Sequence, residues 1–209
     1  MTRPDATLWL AERPLLLASG STTRRDMLWA AGVPVETEKP DIDEREVEQP
    51  LRGEGASEDA IAAALACAKA LAVSLAHPGR FVLGADQTLA CDGAVHHKPA
   101  DLDAARRQIA ALSGRTHQLH SAFVLVRDGE IVTEGLQTAS LTMRPLSEAF
   151  ITAYVATAGA ALLSSVGGYQ LEGLGIQLFE AVEGDHFTVL GLPLLSVLEA
   201  LREQGLLLS

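Results

Sequence analysis

Leu15-Leu16-Leu17-Ala18-Ser19-Gly20-Ser21-Thr22-Thr23-Arg24-Arg25 is the stretch that decides the architecture. Four apolar residues suit a short buried strand, the Ser/Gly/Thr run suits a polar turn, and a helical pattern then continues until Gly32 and Pro34 stop it. A strand delivered through a hydroxyl-rich turn into a helix is an α/β element with a chemical use. The helix start presents unpaired backbone N–H groups and a favourable dipole, and Arg24 and Arg25 add guanidinium forks that match phosphate oxygens. The same residues also suit an ordinary serine cap with two solvated arginines.

Working outward, Thr37–Gly53 is rich in Asp, Glu and Pro with little periodicity and reads as a long loop. Ser57 then caps an alanine-rich helix that His77-Pro78-Gly79 stops. Phe81–Ala85 is a second buried strand, interrupted by the polar pair Asp86-Gln87 before a turn at Asp92-Gly93. Asp101 opens a helix through Leu112, and Asp128-Gly129 is the turn of a long hairpin. Ser147 caps a further helix that Gly159 closes. Ser164–Gly191 is glycine-rich, so its backbone needs positive φ or close approach. Pro193 and Gly205 bracket a last helix. The sum is an α/β chain, a mixed sheet flanked by helices.

At 209 residues the chain accommodates one folding unit, residues 1–209, with two lobes and a cleft between them. Hydrophobic residues at 48% and charged residues at 21% exclude a disordered or low-complexity class. Ala60–Ala76 is apolar but alanine-dominated and carries Lys69, which reads as a buried helix and not a membrane span. Met1–Glu12 has scattered charges and no leader pattern. Two cysteines, Cys67 and Cys91, are too few for a disulfide framework and read as buried thiols in a reducing compartment. A net charge of −11 excludes broad nucleic-acid binding, so any phosphate must be held locally. His117 and His120 are three apart on an expected strand and face opposite ways, a poor zinc pair, as is the adjacent His96-His97.

Leu17–Arg25 with Asp26 and Leu28 resembles the N-terminal signature of the Maf family of nucleotide pyrophosphatases. Gly84-Ala85-Asp86-Gln87, Lys98-Pro99, Leu112-Ser113-Gly114 with His117, Gly173-x-Gly175 and Gly191-Leu192-Pro193 follow in the family's order across nearly the whole chain. The resemblance implies a Maf/inosine triphosphate pyrophosphatase-like fold. It also implies hydrolysis of a nucleotide between its α- and β-phosphates, a divalent metal cation (Mg2+ or Mn2+), a cytoplasmic homodimer and a house-cleaning role. It gives Asp86 the part of general base and metal ligand, Lys98 a catalytic phosphate contact, Glu44 a place near the metal, and Ser19, Ser21 and Arg24 the phosphates. An older description of the family implies the rival of a division regulator that binds nucleotide without hydrolysis.

Three positions bear on the base by the same resemblance: Thr23, Gln87 and Glu172. Gln87 and Glu172 are similar to the branch acting on 7-methyl-GTP, and a carboxylate can accept from a guanine N1–H and amino group while favouring a cationic base. Thr23 departs from that branch, since the tryptophan that could stack on the cationic base is missing. Trp29, six residues on, reads as core.

Overall fold

The computed structural model describes residues 8–209, so most of the Met1–Glu12 stretch lies outside the described residues. In chain order the elements are β1 (Leu15–Ala18), α1 (Thr22–Ala30), β2 (Val35–Thr37), α2 (Glu44–Gly53), α3 (Glu58–Ser74), β3 (Phe81–Cys91) and β4 (Ala94–His96). There follow α4 (Leu102–Leu112), β5 (Thr116–Arg127), β6 (Glu130–Met143), α5 (Glu148–Ala158), β7 (Phe179–Glu183), α6 (His186–Val189) and α7 (Leu194–Glu203). Among the described residues no helix is long and apolar enough to cross a membrane.

The strands form one mixed sheet in the order β2-β1-β3-β5-β6-β7, with β4 also on β3. β1 runs parallel to β2 and β3, and the remaining pairs are antiparallel. Side chains alternate across the sheet. Leu15 and Leu17 join Leu28, Leu83, Leu125 and Val197 in a core under α1 and α7, whereas Leu16, Ala18, Val73 and Val82 pack on the α3 side. Ala62, Ala66 and Ala70 of α3 lie against Ala122, Val124 and Val126 of β5. Their small side chains let the helix approach closely, and Gly84 is where it comes nearest. A Cβ there would sit 2.2 Å from the Ala66 carbonyl oxygen. Toward the far end of the long hairpin a further core gathers Leu89, Ile109, Leu112, Leu119, Leu141 and Tyr169.

Two sequence expectations are corrected. The Glu44–Gly53 segment, read as loop, is helix α2, with Asp43 as its N-cap and Glu44 and Glu46 in the first turn. None of its residues is buried, and Pro50 sits inside it. A helix held on the surface by its caps and charges leaves little apolar periodicity to read. The second correction concerns Asp86, which lies in the middle of an 11-residue β3 and not at a strand end. β3 continues because it changes partner. On one edge it pairs with β1 only through Gly84 and with β4 only from Leu89, while β5 pairs along its other edge throughout. Ala85–Thr88 therefore face a gap between β1 and β4.

Candidate active site

The gap in the sheet opens into a cleft of about 730 Å3, within the size range of small-molecule sites. All the residues singled out from the sequence line it: Ser19, Ser21, Thr23, Arg24, Glu44, Asp86, Gln87, Lys98 and Glu172. They come from the β1–α1 turn, α1, α2, β3 and two further loops.

The β1–α1 turn forms the serine cap that its composition allows, but Arg24 is not a solvated side chain. Ser21 caps α1, its hydroxyl accepting from the Arg24 N–H, and the Ser19 hydroxyl accepts from the Ser21 N–H at 3.2 Å. Arg24 extends across the gap in the sheet. Its Nη1 donates to the Ala85 carbonyl at 2.8 Å and to Ser19 Oγ at 3.3 Å, and its Nε donates to the Gly191 carbonyl at 2.7 Å. Three of five guanidinium N–H groups are thus spent on the protein, which leaves Nη2 as the end available to a ligand. Burial lowers the Arg24 pKa from its ordinary value, with Asp86 and Glu44 opposing. Arg25 turns away, pairing with Asp26 and lying 4.7 Å over the Trp29 ring. Trp29 is partly buried against the core, as its sequence position implies.

Asp86 and Gln87 point to opposite faces of β3. On the α3 side, the Lys69 ammonium donates to Asp86 Oδ1 and reaches Glu44 Oε1 at 2.7 Å. Lys69 was not among the residues singled out as functional, although its anomaly was visible. It lies four residues after Leu65 and four before Val73, on the buried stripe of an alanine-rich helix. It is 7% exposed. A lysine at such a position needs a carboxylate partner, and β3 supplies one.

Charges converge here. Burial would raise the Glu44 carboxyl, but Lys69, Lys98 and Arg24 outweigh it and hold the group below its ordinary value. Lys98 is held below its ordinary value by burial and by repulsion from Arg24 and Lys69, against the pull of Asp86 and Glu44. The lining as a whole balances five Lys and Arg against five Asp and Glu, but at the floor Arg24, Lys69 and Lys98 face only Asp86 and Glu44, a local positive excess in a chain of net charge −11. Such a floor favours a polyanion.

On the other face, the Gln87 amide nitrogen lies 3.0 Å from Ser121 Oγ, 3.0 Å from the Thr188 carbonyl and 3.1 Å from the Val189 carbonyl. Its donors are committed to the end of α6, so only Oε1 remains to meet a ligand. Thr23 and Glu172 lie at the cleft wall with their side chains accessible. The glycine-rich segment behaves as expected. Gly168 and Gly191 have φ of +68° and +96°, and a Cβ on Gly175 would fall 2.3 Å from the Gln170 carbonyl oxygen. His96, unremarkable in sequence beyond its neighbour His97, also lines the cleft. Burial and then His97 lower its pKa.

Glu44 and Asp86 stand on either side of one cation, with a wide opening beside them. Two carboxylates completed by phosphate oxygens are a donor set that suits a hard divalent ion such as magnesium. Among the described residues no cluster of three or more His, Cys, Asp or Glu side chains is present.

Residues 14–204 match the family model described as Maf-like protein. A Mesorhizobium japonicum protein named 7-methyl-GTP pyrophosphatase is 53% identical over 91% of this chain and 96% of its own length. A Rhodopseudomonas palustris protein named nucleoside triphosphate pyrophosphatase is 54% identical over 96% of this chain and 98% of its own. A Rhizobium etli protein named 7-methyl-GTP pyrophosphatase is 51% identical over 91% and 96%.

Proposed function

The chain belongs to the Maf family, and on that premise we propose that it is a nucleoside triphosphate pyrophosphatase, releasing a nucleoside monophosphate and pyrophosphate. The observation that carries the reading is Asp86, a carboxylate held mid-strand among Lys69, Lys98 and Arg24 at the floor of the cleft.

The parts divide by chemistry. Lys69 occupies Asp86 Oδ1, which fixes the carboxylate plane and leaves the second oxygen to accept a proton from water. Arg24 Nη2 and Lys98 meet phosphate oxygens, one as part of a rigid fork and the other as a mobile point charge. Ser19 and Ser21 shape the turn that presents backbone N–H groups to the same phosphates. Glu44 and Asp86 would hold a divalent cation, which when bound supplies Lewis-acid polarisation of the phosphoryl oxygens. Gln87 Oε1, Thr23 and Glu172 face the base.

For the substrate we infer a guanine-type or other modified base, 7-methyl-GTP first. Glu172 and Gln87 Oε1 are acceptors, and acceptors suit the N1–H and amino group of guanine. Relatives bearing that name are half identical over nearly their whole length. A panel of 7-methyl-GTP, GTP, dTTP, UTP and CTP with magnesium, read for pyrophosphate and monophosphate separately, tests both levels. Faster turnover of pyrimidine triphosphates would remove the base assignment. Release of inorganic phosphate in place of pyrophosphate would remove the reaction. Asp86→Asn is expected to lower turnover about 100-fold or more while nucleotide still binds, and unchanged turnover would take Asp86 out of the mechanism.

A further inference from the structure

At the opposite ends of β1 and β3 from the cleft lies a second concavity of about 450 Å3. Arg13, Arg80 and Arg127 line it together with the rings of Trp9 and Phe81. We propose that it is a second nucleotide site, which takes a nucleoside monophosphate with its base against the Trp9 ring and its phosphate among the arginines.

Charge is the first argument. In a chain with 27 acidic and 16 basic residues, three arginines around one hollow are a local reversal of sign, and their pairing is incomplete. Arg80 is held by Glu36 at 2.5 Å and by the Pro14 carbonyl at 2.8 Å, but its Nε is buried without an acceptor among the described residues. A buried N–H in that condition is destabilising unless something meets it. Arg127 has only a loose contact with Asp128, 3.6 Å between half-exposed side chains. Among the described residues Arg13 has no ion pair, and Glu12 is the sole carboxylate in the lining.

Shape and aromatic content supply the second argument. The Arg127 guanidinium lies 4.9 Å over the Phe81 ring, and Trp9 is held by its Nε1–H donating to the Arg13 carbonyl at 3.1 Å. Flat groups fixed at the rim of a cationic hollow are what a base with a phosphate needs, since stacking tolerates any base and guanidinium forks take the phosphate. The volume lies in the lower part of the range for small-ligand sites, which suits a mononucleotide. Phe81 and Asp86 lie on one strand about 16 Å apart, so the two sites are separate.

Trp9 and Trp29 are the chain's two tryptophans, so Trp9 is the sole reporter in a Trp29→Phe background. Titrating GMP into that protein is expected to quench Trp9 saturably. The Arg13→Ser/Arg127→Ser variant should weaken the quench at least ten-fold while keeping nucleotide turnover within two-fold, and the milder Arg127→Gln should shift it in the same direction. Lys98→Ala, which alters the cleft, should leave the quench in place. The proposal is overturned if Trp9 does not respond to millimolar GMP, if both arginine variants respond like the parent, or if Lys98→Ala abolishes the response. Inorganic phosphate and guanosine are separate arms. Phosphate competing as well as GMP, with no effect of guanosine, would make the hollow a plain phosphate site and overturn the nucleotide assignment.

Discussion

The Lys69 ammonium on α3 donates to the Asp86 carboxylate in the middle of β3, and the same ammonium reaches Glu44 on α2. One buried cation thus ties the sheet, the packed helix and the surface helix at the floor of the cleft. Lys69→Met leaves the Asp86 carboxylate, with 12% of its side chain exposed, without its hydrogen-bonded cation, although Arg24 and Lys98 stay nearby. The expected loss is about 3–5 kcal/mol in urea unfolding, with turnover reduced at least about 100-fold because Asp86 is no longer held in one plane. Lys69→Met/Asp86→Asn should be more stable than Lys69→Met alone, since the uncompensated charge is gone. Equal stability of the two would show that the leftover Asp86 charge carries no penalty.

Gly84 lies two residues before Asp86 on the same face of β3, under α3. Gly84→Ala places a methyl 2.2 Å from the Ala66 carbonyl and 2.8 Å from Ala70 Cβ, so helix or strand must move. Overpacking of this kind costs about 1–3 kcal/mol. Because Ala70 is next to Lys69, the displacement should also weaken catalysis more than substrate binding. Steady-state kinetics showing a changed KM with unchanged kcat would contradict this.

Gln87 holds the end of α6 by its amide N–H groups. Gln87→Glu removes both donors and sets a carboxylate against the carbonyls of Thr188 and Val189. A stability loss of about 1–3 kcal/mol is expected, larger at pH 8 than at pH 4, where the acid is protonated and can donate once. If melting temperatures fall no further at pH 8, the hydrogen bonds to α6 are not what Gln87 provides.

His117 is 1% exposed, with Nε2 2.7 Å from the Tyr169 hydroxyl, and burial followed by the nearby His96 lowers its pKa to about 4. Between the unfolded value near 6.5 and about 4 the unfolded chain binds the extra proton. Stability therefore rises with pH across that window and is fully present above it. The contribution integrates to about 3 kcal/mol. His117→Phe should flatten the slope between pH 4 and 6.5, and a wild-type slope that survives in the variant would assign it to other groups.

Asp86 shows what was legible in the sequence and what was not. Its type and its place after an apolar strand marked it. Its position in the middle of β3, beside a gap in the pairing, follows from β1 and β4 taking separate parts of one edge, which is a property of three segments and not of one. α2 was missed for a related reason. A helix that buries no residue has no stripe to reveal it, and its amphipathic pattern is carried by charged and polar side chains over ten residues.

The β1–α1 turn, the Asp128-Gly129 hairpin, the capped helices and the glycines of the later loops were determined locally. Their causes are φ preferences, side-chain caps and apolar periodicity, all of which act within a few residues. Nine candidate positions could be named from motif residues alone. Only the tertiary structure decided that Lys69 stands between Asp86 and Glu44, that Arg24 spends three of its donors on Ser19, Ala85 and Gly191, and that Gln87 keeps only its oxygen for a ligand. Buried charges and donors must find partners wherever the fold supplies them, and those partners here lie 5, 17, 25, 34, 61, 101, 102 and 167 residues away in the chain.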